Sequence, residues 1–187
     1  MRTEPAKSGL GEFRDVISDY KTVGPWAIGG AVFVPLVDYV VKIGPPWPPG
    51  LAIITAVAEF LVLLAAFHFG FRSGYKRVSW RIIVGVVVLV FFFGPYLYLS
   101  SSFVYSFDNE RMVKGFVVRP DVKPLITPDY TADDALADSE YRAETVWTRG
   151  SITSMRLILL ALWLVGFCGL SLAIASFVIY QRRKVVR

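Results

Sequence analysis

The sequence predicts an all-α membrane protein, a four-transmembrane-helix bundle with a small extracytoplasmic cap between helices three and four. Three observations carry this expectation. Hydrophobic residues make up 55% of the chain, more than a water-soluble domain of 187 residues ordinarily holds. Four apolar runs, Pro25–Ile43, Pro49–Phe71, Trp80–Phe103 and Ile152–Tyr180, each exceed the roughly 18 residues that a spanning helix needs. None alternates with the period of two that a membrane barrel strand requires, and lipid offers the backbone no other partner, so the runs read as helices.

Residues 1–24 form a cytoplasmic segment, polar and mixed in charge, unlike a cleavable signal peptide. Within it "EFRDVISDYKTV" spaces Phe13, Val16, Ile17 and Tyr20 along one helical face, as in a helix lying on the inner leaflet or packed on a cytoplasmic connector. Residues 25–103 hold the first three spans. Between the first two lies "IGPPWPPG", an uncharged, proline-rich corner that turns the chain tightly, with Trp47 in the interfacial belt. Its PxxP pattern reads as a steric corner and not as a peptide ligand. Pro35 and Pro95 fall inside spans, where each removes one helical hydrogen bond and shapes the helix.

Residues 104–151 form the cap. "MVKGFVVRP" has the β-branched content of a short strand, and "TADDALADSEYRAETVW" predicts one helix from Ala132 to Trp147, capped by Thr131. "RGS" interrupts that helix, and Ser151 is expected to cap the last span, residues 152–180. So short a segment is expected to lean on the helices or on a neighbouring subunit. The acidic group Asp133, Asp134, Asp138 and Glu140 lacks the glycine and spacing of a calcium loop and reads as a solvated helix face.

Charge sets the topology. "RSGYKRVSWR" after the second run and the tail at 181–187, "QRRKVVR", carry basic residues and no acid, which places both in the cytoplasm. The corner is uncharged and the cap carries nine acidic against six basic residues, so both lie outside. Both termini are then cytoplasmic, and the localisation is the bacterial inner membrane. The net charge of +5 is mostly topological. Basic residues flanking spans do not form a nucleic-acid groove, so no nucleic-acid partner is expected.

Ionisable side chains within spans mark the candidate site, because they are costly there and usually face the bundle interior. Asp38 and Lys42 stand one turn apart on the first run, and Glu59 lies near the middle of the second. With the corner holding these helices antiparallel, the three are expected to converge, with Lys42 within ion-pair distance of a carboxylate and Glu59 directed inward. They read either as structural charge pairing or as a proton, ion or ligand site. Arg156 is expected to snorkel to headgroups. Gly166, Gly169, Ala173 and Ser176 form a small-residue stripe for close helix packing, within the chain or between subunits. His68 reads as interfacial, and the lone Cys168 as a packing residue that excludes an internal disulfide.

No nucleotide-binding, zinc, nucleophile or kinase motif is present, so no cofactor, metal site or enzymatic activity is expected. The four-span outline with a large outer loop resembles tetraspanins, but their cysteine-rich loop is not matched. The short chain, the connector "RSGYKRVSWR" and the tail "QRRKVVR" resemble small four-span effectors of bacterial antiphage signalling systems. That resemblance implies oligomerisation and membrane disruption or depolarisation, and transfers no site residue. The expected partners are the lipid bilayer and either further copies of the chain or a partner membrane subunit. Two other functions stay open: a proton- or ion-coupled transporter or channel using the carboxylates, and a structural accessory subunit of a larger complex.

Overall fold

A computed structural model describes residues 43–70 and 74–185. Among the described residues the fold is mostly helical. Three of its helices are long and apolar enough to cross a membrane: α1 (Leu51–Gly70), α2 (Tyr75–Phe103) and α5 (Arg149–Val185). They derive from the second, third and fourth apolar runs. The first run up to Lys42, with Asp38, and the amphipathic segment before it lie outside the described residues. At 1.5 Å per residue α1 is about 30 Å long and α5 about 55 Å, so α5 outreaches a ~30 Å hydrocarbon core.

The chain order makes α1 and α5 parallel and α2 antiparallel to both. α5 is the central helix and packs against both others. Its contact with α2 is closest where Gly85 meets Gly169 and Ala173. A Cβ built on Gly85 would lie 2.7 Å from both the Ala173 nitrogen and the Gly169 carbonyl oxygen. Without side chains at this crossing the two backbones touch, which gives the dispersion contact that holds helices together in lipid. Gly166 meets Phe93 farther along. The small-residue stripe therefore serves packing within the chain. Ser176, its last member, is fully buried on the same helix.

Two apolar clusters fill the helix bundle. Leu63, Ala66, Phe67, Val78, Ala175 and Ile179 pack at one end. Leu51, Tyr96, Val113, Met155, Leu159 and Trp163 pack at the other, beneath the segment that joins α2 to α5. α2 runs unbroken through Pro95.

The joining segment is a folded insert. β1 (Val104–Phe107) and β2 (Glu110–Val113) form an antiparallel hairpin whose turn, Asp108–Asn109, has φ of 49° and 63°. Two successive left-handed residues match the right-handed twist of the strands, and Asp and Asn reach that region more readily than other side chains do. A turn at Lys123–Leu125 follows, then α3 (Ala132–Asp138) and α4 (Ala143–Val146). Thr131 caps α3 as expected: its hydroxyl accepts the Asp134 N–H, and Asp134 in turn accepts the Thr131 N–H.

The single helix expected over Ala132–Trp147 is two short ones. Glu140 and Tyr141 adopt left-handed φ of 55° and 59°, which stops α3 and swings the Tyr141 ring onto Phe107, with centroids 4.3 Å apart. Local propensity favoured continuation; stacking against a hairpin distant in sequence favours the break. The "RGS" segment does not interrupt a helix either, since α5 begins at Arg149. Thr148 does the capping expected of Ser151: its hydroxyl accepts the Ser151 N–H at 3.4 Å, while the Ser151 hydroxyl donates to the Thr148 carbonyl.

The insert leans on the bundle from both directions. Val113 of β2 belongs to the bundle core, and Ile152 of α5 packs into the insert core with Leu136, Val146 and Trp147. Gly115 lies so close to Ser151 and Trp147 that a Cβ would be 2.7 Å from the Trp147 Cβ and would overlap the Ser151 hydroxyl.

The cap at Thr131 gives a local prediction. Hydrogen bonds from Thr131 hold the Asp134 carboxyl below its ordinary value. A lowered value in the folded state means the stabilisation is present above the unfolded value and lost as pH falls through the folded one. Replacing Thr131 with alanine should cost about 1 kcal/mol, read as roughly fivefold faster amide exchange across α3. The loss of α3 protection on acidification should be smaller in that variant. Equal exchange in both proteins would remove the cap from the account.

Candidate functional site

α1 presents its buried stripe to α5 at helical spacing: Leu51, Thr55, Glu59, Leu63, Ala66, Phe67 and Gly70. Two members are polar. Thr55 accepts a hydrogen bond from the Trp163 indole N–H at 3.1 Å, fully inside the protein. Glu59, one turn on, is 3% exposed. Ser171, itself buried, lies beside the Glu59 carboxyl, with Cys168 close by. A seam of polar groups thus runs between two apolar helices, built from Thr55 and Glu59 on one side and Trp163, Cys168 and Ser171 on the other.

Glu59, expected to point inward, is buried on the face of α1 that packs against α5. Its expected companions Asp38 and Lys42 lie outside the described residues. The seam's α5 half was not anticipated. Serine and cysteine in a long apolar run are ordinary packing residues by composition, and only the rotation of α5 turns them toward Glu59.

Aromatic packing closes the seam toward the insert. The Trp163 ring lies 4.4 Å from Phe167 and 5.2 Å from Tyr96. The Tyr96 hydroxyl donates to the Ile43 carbonyl at the corner, and Arg111 of β2 donates to the Gly44 carbonyl at 2.7 Å. Corner and insert are consequently at the same end of the bundle. The other end holds the basic connector residues Lys76, Arg77 and Arg81, with Tyr75 hydrogen-bonded to Tyr180. His68, exposed in the last turn of α1, lies at that end too.

A second polar feature lies where the insert meets α5. A cleft of about 470 Å³ is lined by Arg119, Arg142, Arg149 and Arg156, with Glu144 and Tyr105 among the other walls. Arg119 is held by both oxygens of Asp121, at 3.0 and 2.8 Å, and Arg149 pairs with Glu144 at 3.1 Å. Arg142 pairs with Glu140 at 3.2 Å. Arg156 has no ion pair among the described residues, and its Nε is buried without a hydrogen-bond acceptor. Arg156, expected to snorkel to headgroups, lines this cleft at the insert end of α5. Burial pushes the Tyr105 phenol above its ordinary value, while the Ala143 backbone and the Arg156 charge act against that rise.

The acidic group Asp133, Asp134, Asp138 and Glu140 is engaged locally, Glu140 through its pair with Arg142. Asp133 pairs with Lys114 at 2.6 Å, Asp134 completes the α3 cap, and Asp138 accepts from the Tyr130 hydroxyl at 2.7 Å.

No protein family, curated protein or solved structure matches the chain.

Proposed function

We propose that the chain is a four-span protein of the bacterial inner membrane that acts by assembling copies of itself, without catalysis. The first apolar run supplies the fourth span, the termini are cytoplasmic, and the insert is the extracytoplasmic cap. The basic connector at one end of the bundle, opposite the uncharged corner and the insert, supports this orientation.

The observation that carries assembly is the surface of α2. Of its 29 residues only Val78, Gly85 and Tyr96 are buried, a narrow stripe. Its outward face displays Trp80, Ile83, Val87, Val90 and Phe91. Lipid covers such a surface, and another copy covers it with added packing between helices. Assembly of this kind would serve a membrane-disrupting or depolarising effector, the activity that the resemblance to antiphage effectors implies.

Cross-linking tests the proposal. In a Cys168→Ala background, cysteines introduced singly at Val87, Val90 and Phe91 should give oxidised dimers in native membranes. Correct insertion without dimers at any of the three positions would overturn assembly through α2. Induced expression should also collapse the signal of a potential-sensitive dye. An unchanged potential at verified membrane levels would remove the effector role and favour an accessory subunit.

A second reading rests on Glu59. A carboxyl buried between spans is a functional candidate by default, since its burial is costly unless it is used or paired. In this reading the chain is a proton- or ion-coupled channel or transporter, with Glu59 and the Ser171 hydroxyl on the path. Glu59→Gln keeps the shape of the side chain and removes its charge. Ion flux unaltered by that substitution, in a folded protein, would exclude this reading while leaving assembly untouched.

A further inference from the structure

We infer that the arginine-lined cleft between the insert and α5 is a binding site for a phosphate-bearing anion, with Arg156 as its anchoring residue. The inference stands apart from assembly and from any role of Glu59, because it uses neither α2 nor the polar seam.

Four arginines line one cleft. Three of them are matched by Asp121, Glu140 and Glu144, so their charges are largely compensated where they stand. Arg156 is not. Its Nε–H is shielded from solvent and lacks an acceptor among the described residues. Buried donors in folded proteins nearly always find a partner, and a charged one without an acceptor is costly. A guanidinium offers five donors in a planar fork that matches phosphate oxygens bidentately. An anion entering the cleft would satisfy Arg156, and the exposed Arg142 and Arg149 side chains could turn from their acidic partners at little cost, because ion pairs that open to water are weak.

Position and size indicate what carries the phosphate. Arg156 directly precedes Leu157–Tyr180, a stretch without any charged residue. That places it at the edge of the apolar zone, where lipid phosphates lie. About 470 Å³ is also in the range of small-molecule sites and larger than a single inorganic ion requires. An anionic lipid headgroup and a soluble phosphate share the recognising chemistry, and the experiment separates them.

The full-length protein, purified in neutral detergent, is titrated with phosphatidylglycerol or phosphatidylcholine and read by native mass spectrometry. In parallel, its melting temperature is followed in inorganic phosphate against chloride at equal ionic strength. The wild-type protein should retain phosphatidylglycerol about tenfold more tightly than Arg156→Gln does, a difference typical of losing one charge-assisted contact. Arg156→Lys should fall between them, because it keeps the charge and loses the fork. Phosphate should raise the melting temperature of the wild type only.

Retention of phosphatidylglycerol that depends on Arg156 identifies a lipid headgroup as the source. A response to phosphate alone, also dependent on Arg156, identifies a soluble anion. Equal binding of both probes by wild type and Arg156→Gln overturns the site. If Arg156→Gln does not fold, Arg142→Gln at the exposed rim decides the matter: a reduced affinity supports the site, and wild-type affinity for both probes overturns it.

Discussion

Replacing Gly85 with leucine is expected to separate α2 from α5 and to destabilise the protein by about 3 kcal/mol or more, the upper part of the range for overpacked cores. The obstruction is backbone. A Cβ at Gly85 would lie 2.7 Å from the Ala173 nitrogen and the Gly169 carbonyl oxygen, so no rotamer change on α5 makes room. Gly169→Leu should act alike, since its Cβ would lie 2.9 Å from the Gly85 oxygen and the Leu89 nitrogen. Gly94 provides the control on the same helix: a Cβ there meets nothing within 4 Å, and Gly94→Leu should be nearly neutral. Unfolding of the three variants in mixed micelles measures the difference. Equal stability of Gly85→Leu and Gly94→Leu would refute the crossing.

Truncating Trp163 to alanine is the second large effect, about 3 kcal/mol, at the low end of aromatic truncations in cores. The low end is appropriate because the unfolded helix in lipid is also in an apolar solvent, so lost packing dominates and transfer contributes little. The ring touches Phe167, Tyr96 and Phe93, and its N–H satisfies Thr55. Trp163→Phe keeps much of the packing and leaves the Thr55 hydroxyl without its donor, and should cost about 1 kcal/mol. Combining Trp163→Phe with Thr55→Val should recover part of that loss, since both polar partners are then gone. Additive losses in the double variant would show that the hydrogen bond contributes nothing.

Much of the fold is legible because lipid restricts the chain so strongly. Long apolar runs have one stable option each, so α1, α2 and α5 follow from composition, and Thr131 announces the start of α3 by its side-chain chemistry. The inward direction of Glu59 is legible for the same reason: a carboxyl at mid-span has few tolerable surroundings. The insert is less legible. Its short elements are governed by contacts distant in sequence, as where Tyr141 leaves the helical path to stack on Phe107.

The sequence by itself determined which segments are helical and apolar, where the basic connector and tail fall, and that one carboxyl must be sheltered within the second apolar run. Only the tertiary structure decided that α5 is the central helix, that Gly85 and Gly169 meet, that Ser171 and Cys168 turn toward Glu59, and that Arg156 faces a cleft. The reason is physical. Hydrophobicity and helical periodicity act along a few turns of chain, whereas the partner of each helix face depends on which small side chains let two backbones approach. That choice is made between residues as distant in sequence as Gly85 and Gly169, and it fixes the rotation of α5 and every side chain it carries.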